Sequence, residues 1–228
     1  MGEMSTLAAS RPGPLAIPVE REDGVALAYM TFDEWLEWDY EGGLSAWVDG
    51  QVRIYMSVSL DHDIITGFIR TLFDLFGEVT GLGRGHSGPY AMRAAADGPG
   101  REPDVMFVLA ANRERRLSRF ISGPPDVVVE VVSPDSVTRD NREKLAEYEQ
   151  AGVPEYWVID PRPNRQFARF YVLEDGRYFE AFPDEDGVYH STAMPGFWLR
   201  LSWLWEEEPR ALAAWTEIAA TIPKPPTK

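Results

Sequence analysis

Glu130 interrupts an otherwise apolar run, Asp126-Val-Val-Val-Glu-Val-Val132. An unpaired ionised carboxylate in such a strand costs several kcal/mol, so it needs a cation, a proton or a metal. A buried carboxylate of this kind marks a site more often than it serves structure alone; the plain alternative is a buried salt bridge or a strand end that reaches water. Asp104 follows Pro103 at the start of a second apolar run, Val105–Leu109. If the two runs are adjacent strands, two carboxylates converge, and they repel unless a divalent cation lies between them. A hard ion such as Mg²⁺ suits oxygen donors and keeps several waters. The plain alternative for Asp104 is a turn cap after proline. Asp126 lies four residues before Glu130 on the same strand face, but behind Pro124-Pro125 it reads as structural.

Lys144 opens the helix that follows this strand. Of the 22 basic residues only three are Lys, and Lys224 and Lys228 lie in the terminal tail, so Lys144 is the single lysine of the body. Where Arg is used almost everywhere else, a lone compact amine suits charge stabilisation or the orienting of a water. A solvated helix lysine beside Glu147 or Tyr148 is the alternative. His62 opens a long apolar helix, in line with Ile65 and Ile69, where packing competes with catalysis. His86 and His190 stand apart, and no HExxH pair exists, so a zinc site is not expected. Gly81-Leu-Gly-Arg-Gly85 lacks the ending of a phosphate loop, and no GxSxG elbow surrounds Ser133 or any other serine.

The elements that must hold these groups follow from local pattern. Thr31-Phe-Asp-Glu34 is a capping box that opens a short helix through Trp38. Trp47 to Tyr55 reads as two strands joined at Asp49-Gly50. Ile64, Ile65, Phe68, Ile69, Leu72, Phe73 and Phe76 predict a helix from about Asp61, broken by Gly81, Gly83 and Gly85. Strands are expected near 90–94, at 105–109 and at 126–132. Asp140-Asn-Arg-Glu143 is a second capping box, opening a helix to Gln150 that Gly152 and Pro154 end. Tyr156–Ile159, Phe167–Val172, Tyr178–Phe182 and Phe197–Leu201 complete the strands. The pattern is α/β (α+β), a mixed sheet flanked by helices in a single domain. We expect a loosely held arm over 1–28, the domain over 29–207, and a C-terminal helix and tail over 208–228.

The 228 residues carry 22 Lys+Arg against 37 Asp+Glu, a net charge of −15, which argues against a general coat for nucleic acid. The charge is uneven: residues 84–120 hold seven Arg and four acids, so this stretch is +3 and the rest −18. Within it Arg93, Arg101, Arg115 and Arg116 are candidate phosphate contacts through forked donors, with a solvated loop as the alternative. The absence of Cys excludes disulfides, a thiol nucleophile and thiolate metal sites, and it accords with a reducing, cytoplasmic setting. No apolar run approaches the ~18 residues of a membrane span, and no secretory signal is read at the N-terminus. Trp35, Trp38, Trp203 and Trp205 are candidates for a homodimer face, although the core is the commoner place for Trp.

Several of these segments together resemble the Uma-two family of candidate restriction endonucleases, within the PD-(D/E)XK nuclease superfamily. The matching text is Val48-Asp-Gly50, Asp61-His62, Glu102-Pro-Asp-Val105 and Pro125-Asp-Val-Val-Val-Glu-Val-Val-Ser-Pro134. It continues with Lys144-Leu-Ala-Glu-Tyr-Glu-Gln-Ala-Gly-Val-Pro-Glu-Tyr-Trp-Val-Ile-Asp-Pro161 and Pro195-Gly-Phe-Trp-Leu199. The resemblance covers roughly residues 30–205. It implies a restriction-endonuclease-like fold with a Mg²⁺- or Mn²⁺-dependent endonuclease site acting on DNA. In it Asp104 is the motif aspartate and Glu130 the acid of the (D/E)XK element. The third position of that element is Val132, so the lysine is expected from the following helix, at Lys144. His62 matches a recurrent family histidine. The metal would be held by Asp104, Glu130 and the carbonyl of Val131. One position departs: family members usually carry Glu shortly before the Asp-Gly turn, and Ala46 stands there, with Glu41 nearby. A catalytically silent binding or assembly protein that keeps the fold is the rival expectation, and a homo-oligomer, a dimer, is the expected assembly. A metal-free hydrolase using the two carboxylates as acid and base is a third.

Overall fold

The computed structural model describes residues 20–22, 25–38, 45–54, 58–132 and 143–222. In chain order the first half holds β1 (Glu20–Glu22), β2 (Val25–Tyr29), α1 (Phe32–Glu37), β3 (Ser45–Val48), β4 (Gln51–Ile54), α2 (Leu60–Thr80), β5 (Gly83–His86), β6 (Ala91–Arg93) and β7 (Val105–Leu109). The second half holds β8 (Phe120–Ser122), β9 (Val127–Val131), α3 (Lys144–Ala151), β10 (Glu155–Asp160), β11 (Phe167–Glu174), β12 (Arg177–Ala181), β13 (Val188–His190), β14 (Trp198–Arg200) and α4 (Ala211–Thr221). Short 3-10 helices follow β7 and β14, at Ala110–Arg115 and Leu201–Trp205.

Six strands form the main sheet in the order β12-β11-β10-β9-β7-β5. Only β9 and β10 run parallel, and α3 lies between them in the chain, since parallel neighbours need a crossover. Every residue of β9 and β10 is buried, as a strand covered on both faces requires. On one face α2 lays Ile65, Phe68, Ile69, Leu72, Phe73 and Phe76 against Val105, Phe107, Val127, Val129 and Val131. Phe73 meets Phe107, Trp157 and Phe197 edge-on, with ring centroids 5.6, 5.5 and 5.3 Å away. On the opposite face Tyr148 of α3 packs with Met106, Val108, Val128, Val132 and Tyr156. The mixed α/β architecture, a sheet flanked by helices, is therefore the expected one.

Local signals hold where they depend on local geometry. Thr31 and Glu34 make the reciprocal capping box of α1. Asp49 and Gly50 both have positive φ, 49° and 83°, the tight hairpin turn that an Asp-Gly pair favours. Two expectations change. Residues 20–28, expected in the arm, contain β1 and all but the last residue of β2, which pair as a ladder continued by β4 and β3. Short strands without alternating apolar residues leave no period to read. The glycine run after α2 is likewise a strand, β5, paired with β7. Its glycines answer to packing: a Cβ on Gly83 would lie 2.4 Å from the Phe107 ring, and one on Gly77 would lie 2.4 Å from the Gly83 carbonyl oxygen. Trp35 and Trp203 are buried, while Trp38 and Trp205 are half-buried, so the first two belong to the core rather than to a dimer face. Residues 1–19, the second capping box at Asp140, Ser133, Glu41 and the tail from 223 lie outside the described residues.

Candidate active site

β7 and β9 are antiparallel neighbours, with Val105 opposite Val129. One residue further out, Asp104 stands across the ladder from Glu130, where cross-strand Cα atoms are about 5 Å apart. The convergence of the two carboxylates thus follows from the register. Both are buried, Asp104 at 8% and Glu130 at 3% exposure. Among the described residues they face different partners. Asp104 turns back at the strand end: its Oδ2 accepts the Val131 N–H at 2.7 Å and lies 3.1 Å from His62 Nε2. His62 is presented by the first turn of α2, where the Ser59 hydroxyl caps its backbone N–H. Its other ring nitrogen lies 3.4 Å from the Thr66 hydroxyl, one helical turn on.

Glu130 points to the α3 face of the sheet, alternating with Val128 and Val132. Its Oε1 lies 2.8 Å from Lys144 Nζ and accepts the Tyr148 hydroxyl at 2.9 Å. Lys144 and Tyr148 are four residues apart, so one helix face delivers both groups to one oxygen. Burial, and then the nearby Glu130 and Glu147 carboxylates, push the Tyr148 phenol well above its usual pKa, so it stays a donor. Tyr148 was not singled out by the sequence reading; its signal is the four-residue spacing from Lys144.

The arginines divide. Arg101 is buried and forms a two-pronged pair with Glu147 of α3, at 3.1 and 2.6 Å. It clamps the segment leading to Asp104 onto α3 and does not present a face to solvent. Arg93 stacks over Phe32 and Trp47, at 4.4 and 5.3 Å, and donates to the Gly98 carbonyl. Arg115 donates to the Pro124 carbonyl. These three expected phosphate contacts are used inside the fold, because a long side chain beside a loop finds carbonyls and rings before it finds solvent. Arg116 lines an open cleft instead. Asp126 accepts from the Leu109 N–H and Asn112, the structural role expected for it. His190 is exposed beside Asp184, away from any metal-like cluster. Among the described residues no group of three or more His, Asp or Glu is arranged to hold a metal.

Two further carboxylates, the half-buried Glu102 and the buried Glu155, carry no signal in the sequence pattern. Glu102, two residues before Asp104, accepts the Ser45 N–H at 2.7 Å, and burial raises its pKa to about 7. Its neighbour in the fold is β3, which carries Ala46, buried opposite Arg53. Glu155 starts β10, at the far end from Glu130, and accepts from Trp157, Tyr189, Ser191, Thr192 and the Ala193 N–H. These donors lie mainly in a loop distant in sequence, so no local pattern reveals them.

Comparison with protein families matches residues 31–202 to Uma2, described as "Putative restriction endonuclease". The chain belongs to the Uma2 family. The match spans α1 to the 3-10 turn after β14 and contains His62, Asp104, Glu130 and Lys144. Among solved structures, a chain titled a putative nuclease belonging to DUF820, from Anabaena variabilis, is similar in fold with a TM-score of 0.61 at 17% identity. The similarity covers 77% of this chain and 97% of that one. No curated protein matches the chain in sequence. No helix among the described residues is long and apolar enough to cross a membrane. Uma2 membership places the chain among nuclease-like proteins, a group that generally uses divalent metals.

Proposed function

We propose that the protein is a divalent-metal-dependent endonuclease hydrolysing phosphodiester bonds in DNA, with its site at the adjoining ends of β7 and β9. The observation that carries this reading is the juxtaposition of Asp104 and Glu130 on neighbouring strands, with Lys144 2.8 Å from the Glu130 carboxylate. The donor set fits Mg²⁺ or Mn²⁺. Both acids are hard oxygen donors, and such ions are held by one or two carboxylates plus water and substrate phosphate. Asp104 Oδ1 makes no hydrogen bond or ion pair among the described residues, so it has a lone pair to offer. Asp104 and Glu130, with the Val131 carbonyl, would hold the ion. When bound, it supplies an activated water and polarises the phosphate.

The chain's own groups do the rest. Lys144 carries a fixed positive charge to the place where negative charge grows on the phosphate. Tyr148 donates to Glu130 and holds its carboxylate in one rotamer. His62 and the Val131 N–H hold Asp104 in the same way, because the orientation of a ligand is set by the partner behind it. His62 is thus a positioning residue, with Nε2 toward Asp104 and Nδ1 toward Thr66.

A second reading, a silent binding or assembly protein that keeps the fold, is favoured by Ala46 at the position where the family usually places Glu. Nicking of supercoiled plasmid at low salt with Mn²⁺ or Mg²⁺ separates the two. Cleavage is expected from the parent and is expected to vanish with EDTA, in Asp104→Ala and in Glu130→Ala. Equal cleavage by parent and variants would refute the site. Absence of cleavage together with absence of Mn²⁺ binding by calorimetry would establish the silent reading.

A further inference from the structure

Beyond β5, at the edge of the main sheet, lies an open cleft of about 620 Å³ lined by His86, Tyr90, Arg113 and Arg116. Arg84 and Arg113 are exposed, Arg116 is half-buried, and none of the three forms an ion pair among the described residues. In a chain of net charge −15, the Arg113 and Arg116 guanidinia of the cleft, facing the single acid Glu114 and with Arg84 acting on His86 from β5, form a local reversal of the field. His86 and Tyr90 face one another as tilted rings with centroids 5.2 Å apart. The Nε2 of His86 is buried and has no hydrogen-bond partner among the described residues. Such an atom is expensive to leave unpaired.

The cleft shares a sheet face with Glu130 and Lys144. His86 pairs with Met106 across β5 and β7, and Met106 pairs with Val128 across β7 and β9. Glu130 is the next residue along β9 on the same side. Two strand spacings across and two residues along place the His86 and Glu130 Cα atoms about 12 Å apart. One short stretch of strand can reach both places.

We propose that this cleft is a strand-binding subsite: it takes a phosphate of a single-stranded stretch of the nucleic acid, flanking the scissile bond, with the adjoining base against the His86–Tyr90 rings. This rests on the nuclease reading and extends it. Forked guanidinium donors match phosphate oxygens, and ring faces stack bases without regard to sequence. Burial, then Arg116, Arg70 and Arg84, hold the His86 pKa down at about 4 against the opposing pull of Asp74. The imidazole is therefore neutral at neutral pH. Arg113, Glu114 and Tyr90 are the other titratable groups facing the cleft. A phosphate bound there offsets the Arg113 and Arg116 guanidinia and moves the His86 titration upward.

The test uses the full chain in EDTA, where no chemistry proceeds, with a labelled single-stranded DNA 12-mer followed by fluorescence anisotropy. Arg113→Gln with Arg116→Gln is expected to weaken binding by about tenfold or more and to flatten its salt dependence. Glu114→Gln, which removes the one acid of the cleft lining, is expected to tighten it. Binding is read without a divalent metal, so this result stands or falls apart from cleavage. The imidazole NMR signals give a second readout, in which those of His86 should shift with the 12-mer while those of the remote, exposed His190 stay in place. Unchanged affinity in both Arg113→Gln/Arg116→Gln and Glu114→Gln, or an unmoved His86 at saturation, would overturn the proposal. Inorganic phosphate or a nucleoside monophosphate binding as tightly as the 12-mer would overturn it too, in favour of a free-anion site.

Discussion

Lys144→Met keeps the side-chain stem and removes the ammonium from the Glu130 carboxylate. The pair is 2.8 Å apart, with side chains only 11% and 4% exposed, so it is screened far less than a surface pair. Removing one partner of a buried ion pair costs about 3–5 kcal/mol, because it strands the other charge. Tyr148 still donates to the same Glu130 oxygen at 2.9 Å, which places the expected loss at the low end, about 3 kcal/mol. For a chain of this size that is a fall in Tm of roughly 6–12 °C. Glu130→Gln with Lys144→Met leaves no charge to strand, and the Tyr148 hydroxyl can donate to the amide oxygen. That double variant should sit within about 1 kcal/mol of the parent. Urea denaturation of the parent, both single variants and the double variant at pH 7 yields the coupling energy directly, expected at about 2 kcal/mol or more. Raising the salt to 0.5 M should leave it nearly unchanged. A single-variant loss below about 1 kcal/mol, or a double variant whose loss equals the sum of the singles, would refute the claim of a buried, coupled pair.

Two more outcomes follow from the half-buried Glu102 and the buried Glu155. Glu102 has its pKa raised from 4.5 to about 7, so between those values the folded chain binds the extra proton. Its stabilising contribution is present below pH 4.5 and is lost as pH rises through 7, a change of about 3 kcal/mol at most. Glu102→Gln should flatten that part of the stability–pH curve and be more stable than the parent at pH 8; a parallel curve for parent and variant would contradict it. Glu155→Ala leaves the Tyr189, Ser191 and Thr192 groups without their acceptor and should lower stability by more than about 4 kcal/mol, measured by thermal unfolding. Glu155→Gln should be intermediate, since the amide oxygen accepts but the NH₂ group faces donors.

Much of the scaffold is legible in the chain because it rests on short-range rules. The apolar spacing of α2, the capping box at Thr31 and Glu34, the Asp49-Gly50 turn and the fully apolar flanks of Glu130 each depend on a few neighbouring residues. Those rules also place each of the two carboxylates beside an apolar strand; that the two strands are neighbours is decided by the sheet order. Strand β5 was hidden for the opposite reason: its glycines are explained by the Phe107 ring and the end of α2, which arrive only through folding.

The sequence alone singles out Asp104, Glu130, Lys144 and His62 as a candidate site, on elements whose periods are local. Tertiary structure decided how they are paired. Asp104 goes to His62 and the Val131 N–H, and Glu130 to Lys144 and Tyr148, because strand register and the seating of α2 and α3 set which polar tips come within hydrogen-bond reach. It also decided that Arg101 turns inward to Glu147 while Arg116 stays on an open cleft. A charged side chain several bonds long can serve either end, and only the burial of its neighbours chooses between them.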